Sequence, residues 1–130
     1  MTARKNTVLI ADCDEGFRND MNEKFSDEGY RVFLADSGKD AVSCVMKREV
    51  NLAIINVDLE DIEGYKIIPM LKDINKDIKV IMTTAANSIE RESKCRAAGI
   101  IFYALKPVDY TQVLSIMKCA LQSVRISEVQ

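Results

Sequence analysis

The sequence predicts an α/β domain in which a five-stranded parallel sheet is covered by helices on both faces. Short apolar runs of strand length alternate with longer amphipathic segments along the whole chain. Such alternation requires right-handed crossovers, which place helices on both sides of a parallel sheet. The chain has 130 residues, of which 48% are hydrophobic, so it suits a single domain with a full core.

The first strand is the apolar run Val8-Leu9-Ile10-Ala11, ended by the polar Asp12. Phe17, Met21 and Phe25 then recur every four residues, which puts them on one face of a helix that Gly29 stops. Arg31 to Leu34 reads as the second strand, and Ser37 as the N-cap of a helix whose buried stripe is Ala41, Val42 and Val45. Leu52 to Ile55 is the third and clearest strand, apolar on both faces. Gly64 opens a helix carrying Ile67, Ile68, Leu71 and Ile74. Pro69 stands near its first turn, where a missing N–H costs least. Lys79 to Met82 forms the fourth strand and Ile100 to Leu105 the fifth. Between them Ile89 to Ala98 is helical by propensity but has a poor apolar face, and it is expected to be the most mobile element. Asp109 caps a last helix bearing Val113, Met117, Ala120 and Leu121. The expectation is one domain over residues 1–130, with a core at about 7–124 and a fraying tail from Arg125.

Composition excludes several kinds of function. The net charge is −2 with both signs interleaved, and Arg4-Lys5 and Lys47-Arg48 are isolated pairs, so nothing points to nucleic acid. No apolar run approaches the roughly 18 residues of a membrane span, and Met1 to Thr7 lacks the features of a signal peptide. A cytoplasmic protein is expected. There is no histidine, which removes Ser-His-Asp and Cys-His catalysis and most zinc sites. Cys13, Cys44, Cys95 and Cys119 are widely spaced and read as reduced thiols.

Ligands of a doubly wound sheet bind beyond the carboxyl ends of its strands. Asp12, Cys13 and Asp14 follow the first strand, Asn56 and Asp58 the third, Thr83 and Thr84 the fourth, and Lys106 the fifth. Each alone has a bland reading, because strand ends are polar wherever loops meet water. Together they gather a carboxylate, hydroxyls and an ammonium at one edge, a site for an anion with or without a metal.

From about Thr7 to Leu121 the chain resembles a response-regulator receiver domain, the fold of the bacterial chemotaxis response regulator. Val8 to Asp14 resembles the first strand and its acidic pair, and Leu52 to Asp58 followed by Glu63-Gly64 resembles the acceptor strand. Met82-Thr83-Thr84-Ala85 resembles the switch-threonine strand. Ala97-Ala98-Gly99, Tyr103 and Lys106-Pro107 resemble the fifth-strand signature. The resemblance implies a three-layer, flavodoxin-like fold with strand order 2-1-3-4-5 and five helices.

Two departures bear on function. Counted back from Gly64, the family's phosphoacceptor aspartate falls on Asn56, and its direct magnesium ligand falls on Cys13. Asp12, Thr84, Lys106 and the switch aromatic Tyr103 match. An amide is a poor nucleophile and a thiol a poor ligand for a hard cation, so magnesium binding is expected to be weak or absent. Cys13, beside Asp12 and Asp14, is not read as a reactive nucleophile. Lys106 is expected to be satisfied by Asp12 and the Asn56 carbonyl. The resemblance further implies signalling through the fourth helix, fifth strand and fifth helix, with Thr84 and Tyr103 coupling that face to the pocket. Ile101 and Phe102 either extend the buried fifth strand or add to an apolar patch for a partner or a homodimer.

The leading expectation is a non-enzymatic pseudo-receiver in two-component or phosphorelay signalling, which binds a sensor kinase or a downstream effector. Two alternatives stand beside it. One is a phosphorylatable regulator using Asp58 or Asp12, and the other a small enzyme or metal-binding protein on the same fold, with Asp12 and Asp58 as weak ligands. The absence of histidine and of a glycine-rich phosphate loop argues against the last.

Overall fold

The computed structural model describes residues 6–129, those at 122–129 for their backbone alone. Strands β1 (Thr7–Ala11), β2 (Arg31–Ala35), β3 (Leu52–Asn56), β4 (Lys79–Thr84) and β5 (Phe102–Leu105) form one parallel sheet in the order β2-β1-β3-β4-β5. Helices α1 (Glu15–Asp27), α2 (Gly38–Lys47), α3 (Ile68–Ile74), α4 (Ile89–Ala98) and α5 (Tyr110–Val129) alternate with the strands. A 3₁₀ turn, Gly64–Ile67, precedes α3. The expected fold class and strand order are those observed.

Alternation along each strand divides the interior in two, because successive side chains point to opposite faces. Leu9, Ala53, Ile55, Val80 and Met82 pack with α2, α3 and Cys95 of α4. Val8, Ile10, Leu52, Ile54 and Ile81 pack with Met21 and Phe25 of α1 and with Val113, Met117 and Leu121 of α5. Local signals end the helices as expected. Ser37 caps α2 by accepting the Asp40 N–H at 3.1 Å, and Asp109 caps α5 by accepting the Gln112 N–H at 3.1 Å.

Several boundaries differ from the sequence reading. β3 and β4 run past their apolar stretches to Asn56 and Thr84, because Asn56 pairs with Thr83 across the ladder. β5 starts at Phe102 rather than Ile100, since Gly99 ends α4 in the left-handed region at φ 94° and the chain must first turn back to the sheet. Pro69 lies at the start of α3, where its lack of an N–H opens the helix and leaves Gly64–Ile67 as a tighter turn. Ile74, which the sequence groups with Ile67, Ile68 and Leu71 on this helix, is 42% exposed while those three are buried. The stretch from Arg125 to Val129, expected as a tail, continues α5 as helix. Among the described residues no helix is long and apolar enough to cross a membrane.

Candidate functional site

The carboxyl ends of the strands bring the predicted polar residues together, and each is held by identifiable bonds. Asp12, directly after β1, is 1% exposed. Its Oδ1 accepts the Asp14 N–H at 2.9 Å, and its Oδ2 lies 2.7 Å from Lys106 Nζ. That contact has ion-pair distance but not the angles of a hydrogen bond, so Oδ2 keeps unfilled acceptor capacity. The Lys106 ammonium faces inward with its side chain 17% exposed, and it also stands 4.3 Å from the Phe17 ring centroid. This cation–π contact adds stabilisation to an ammonium largely shielded from water. Arg18 closes the group by donating from Nη1 to the Asp12 carbonyl at 2.6 Å.

Asn56 ends β3 almost wholly buried, and both halves of its amide are used. Oδ1 accepts the Asp58 N–H at 2.7 Å, and Nδ2 donates to Thr83 Oγ1 at 3.2 Å. The backbone around it is tight. Gly64 donates to the Val57 carbonyl at 2.7 Å, and a Cβ at Gly64 would overlap the Asn56 carbonyl oxygen. Only glycine permits that approach.

Thr84 is fully buried, and its hydroxyl donates to the Ala86 carbonyl at 3.0 Å while accepting the Ala86 N–H at 3.2 Å. Cys13 is exposed and donates weakly from Sγ to the Asp58 carbonyl at 3.5 Å. The Asp58 side chain turns out of the pocket to Arg91 of α4, at 2.8 Å for Nη2–Oδ1 and 3.3 Å for Nη1–Oδ2. Tyr103 is buried against the same cluster as Cys95, with its hydroxyl unpartnered, and burial raises its pKa above the ordinary value.

Two expectations are corrected. Asn56 Oδ1 faces the Asp58 N–H and not Lys106, because the turn after β3 brings that backbone donor directly over the amide. Ile101 and Phe102 part company. Ile101 lies outside β5 and is 39% exposed, whereas Phe102 is half-buried against the α1–α5 side of the sheet.

The donor set does not suit magnesium. Of the nearby carboxylates, Asp12 is held by Lys106 and the Asp14 N–H, and Asp58 by Arg91. Cys13 offers a soft thiol where a hard cation needs oxygen. Among the described residues no three His, Cys, Asp or Glu side chains are grouped so that they could share a metal ion.

Sequence reasoning missed Phe17, Arg18 and Arg91. Phe17 carried only a core signal, and Arg18 and Arg91 are ordinary helix-surface arginines until the fold sets them against Asp12 and Asp58. It also missed Asp61, whose carboxylate accepts the Gly38 and Lys39 N–H groups at 2.9 and 3.0 Å and so caps α2 from the loop after β3. No local motif announces a cap supplied from so far along the chain.

The family profile described as response regulator receiver domain matches residues 8–118. Sporulation initiation phosphotransferase F of Bacillus subtilis is 29% identical over 111 residues, which cover 85% of this chain and 90% of that protein. The transcriptional regulatory protein ZraR of Klebsiella oxytoca is 25% identical over 98% of this chain but only 29% of its own length, so the chain spans under a third of that regulator. A CheY-like receiver domain protein from Methanospirillum hungatei superposes with a TM-score of 0.90 at 25% identity, covering 95% of this chain and 99% of that one. A signal receiver domain from Pseudomonas fluorescens, 21% identical, covers 100% of this chain and 96% of its own with the same TM-score of 0.90, a likeness of fold.

Proposed function

This chain belongs to the response regulator receiver domain family, and we propose that within it the domain is a pseudo-receiver, signalling through a protein partner without phosphorylation of an aspartate at the acceptor position. The observation that carries this reading is Asn56. It occupies the acceptor place by its distance from Gly64, it is buried, and its amide is committed to Asp58 and Thr83. Acyl phosphate formation needs a carboxylate whose oxygen attacks phosphorus, with a cation offsetting charge on the transferring group. A carboxamide gives no such nucleophile, and the held carboxylates leave magnesium weakly bound or absent. On this reading the domain is not an enzyme.

The two remaining acidic candidates are poorly placed as substitutes. Asp12 is buried against Lys106, and Asp58 is engaged by Arg91. Asp58 is nevertheless the more accessible, its side chain 45% exposed, so it is the residue on which a noncanonical phosphoryl group would form.

The partner is a sensor kinase or downstream effector, or a second copy of the chain. Ile89, Ile101 and Leu105, at 89%, 39% and 46% exposure, supply apolar surface along α4 and β5. The interleaved charge of the sequence, with no concentrated basic face, favours a protein partner over nucleic acid.

Incubation with acetyl phosphate and magnesium, followed by intact-mass analysis, tests the reading. The unaltered chain is expected to gain no phosphoryl adduct, and the Asn56→Asp/Cys13→Asp variant to gain one. An adduct on the unaltered chain that disappears in Asp58→Asn would instead establish Asp58 as acceptor. For the surface, Ile101→Ser is the informative change, because Phe102→Ser would damage the core as well. A fall in solution mass or loss of partner capture in Ile101→Ser supports the α4–β5 face.

A further inference from the structure

Helix α4 is attached to the domain differently from its neighbours. Its one fully buried side chain is Cys95, whereas α1 buries Met21 and Phe25 and α2 buries Ala41 and Val45. A thiol is a small apolar group, so little hydrophobic energy holds this helix to the sheet. Polar contacts take up the work, and they reach α4 from one limb, the segment between β3 and the end of α3. In the first turn Arg91 meets both carboxylate oxygens of Asp58, at 2.8 and 3.3 Å. At mid-helix Lys94 Nζ stands 5.8 Å from the Tyr65 ring centroid. At the C-cap Lys72 Nζ donates to the Gly99 carbonyl at 2.7 Å.

Among these, the Asp58–Arg91 contact alone joins opposite charges through two bonds, the arrangement that gives a guanidinium both strength and a defined direction. It also bridges the loop bonded to Asn56 and the helix that carries Cys95. We propose that the Asp58–Arg91 ion pair is a latch. When it is closed, α4 stays seated with Cys95 against the sheet. When it opens, α4 lifts from the sheet while the strands and the other helices remain folded. Ile89, at the start of α4, travels with the helix, so the latch sets where that exposed side chain stands relative to Leu105 on β5. The device needs no phosphoryl group. Its inputs are ionic strength and any charged partner segment that competes for Arg91 or Asp58.

The chain carries its own reporters. Cys95 is wholly buried on the inner face of α4, and Cys44, half-buried on α2, reports on the rest of the fold. Native-state labelling with N-ethylmaleimide, resolved cysteine by cysteine by peptide mass spectrometry, measures opening at each place. Arg91→Ala is expected to speed Cys95 labelling, taken relative to the same chain unfolded in urea so that the loss of the Arg91 charge beside the thiol cancels, by up to about five-fold, the range available to a partly exposed ion pair, with Cys44 unchanged. The charge exchange Asp58→Arg/Arg91→Asp should return the Cys95 rate most of the way. Raising sodium chloride on the unaltered chain should move it in the same direction as Arg91→Ala. A Cys95 rate in Arg91→Ala equal to that of the unaltered chain overturns the latch, whatever salt does. So does a rise in which Cys44 keeps step, since that is loosening of the whole domain.

Discussion

The pocket around Asn56 and the helix α4 beside it are stabilised by opposite means. In the pocket Asp12, Asn56 and Thr84 are buried, and nearly every polar atom has an internal partner within 3.2 Å. On α4 a single thiol is fully buried, and charged side chains at the surface make the attachments. Buried polar networks are stiff because an unpaired group in low dielectric costs several times what a surface pair is worth. The domain therefore joins a centre that resists rearrangement to a rim that yields at small cost. Signalling without phosphotransfer would use the rim, because its contacts cost less to break than the buried bonds of the centre.

The sharpest way to break this contrast is to remove Lys106. Asp12, its side chain 2% exposed, would be left as a buried carboxylate without its ion-pair partner. Lys106→Ala is expected to cost about 3 kcal/mol, read as a lower midpoint in urea unfolding. Adding Asp12→Asn should recover part of that loss, because the two residues share one interaction. Full additivity of the two losses would mean that the pair is not coupled. Next in size is Gly64→Ala, whose new methyl must displace the Asn56 carbonyl; a loss of about 1–3 kcal/mol is expected. Phe17→Leu keeps the apolar bulk but removes the π face under Lys106. It should lower stability by about 0.5–1 kcal/mol, and the loss should vanish when Lys106 is already Met.

Most of the framework was legible because burial writes itself into pattern. The runs at Val8–Ala11 and Leu52–Ile55 are apolar on both faces, as strands covered on both sides must be. Strand ends were less legible. Asn56, Thr83 and Thr84 belong to strands through ladder pairing, which polarity alone conceals. At the site, residue types that terminate strands converge by topology, so Asp12, Thr84 and Lys106 could be placed together before their distances were known. Contacts that cross between elements could not. Arg91 meets Asp58 from 33 residues away, and Asp61 reaches Gly38 across 23, spans over which no sequence periodicity operates. The direction of the Asn56 amide was likewise invisible, because it depends on the backbone of the turn after β3.

The loop after β3 offers a last and smaller test, since its two ends are held by chemically different bonds. Asp58 ties it to α4 through a guanidinium, and Asp61 ties it to α2 through the Gly38 and Lys39 N–H groups. Those backbone bonds, led by that from Gly38, hold the Asp61 carboxyl below the usual carboxylate range. A depressed pKa means that between the folded and unfolded values the unfolded chain binds more protons. The contribution is therefore complete above the unfolded pKa and fades as pH falls through the folded one, below about pH 4. Asp61→Asn should shallow the acid limb of stability there and lower stability at pH 7, since one of the two oxygens that accept the Gly38 and Lys39 N–H groups becomes an amide nitrogen that cannot accept. Chemical shifts of the Gly38 and Lys39 amides would follow the same titration in the unaltered chain and lose it in the variant. Acid should thus loosen the α2 end of this loop, whereas salt should act first at the α4 end. If both ends responded together to either treatment, the loop would be moving as one piece with the pocket, and the division between rigid centre and adjustable rim would have to be redrawn around it.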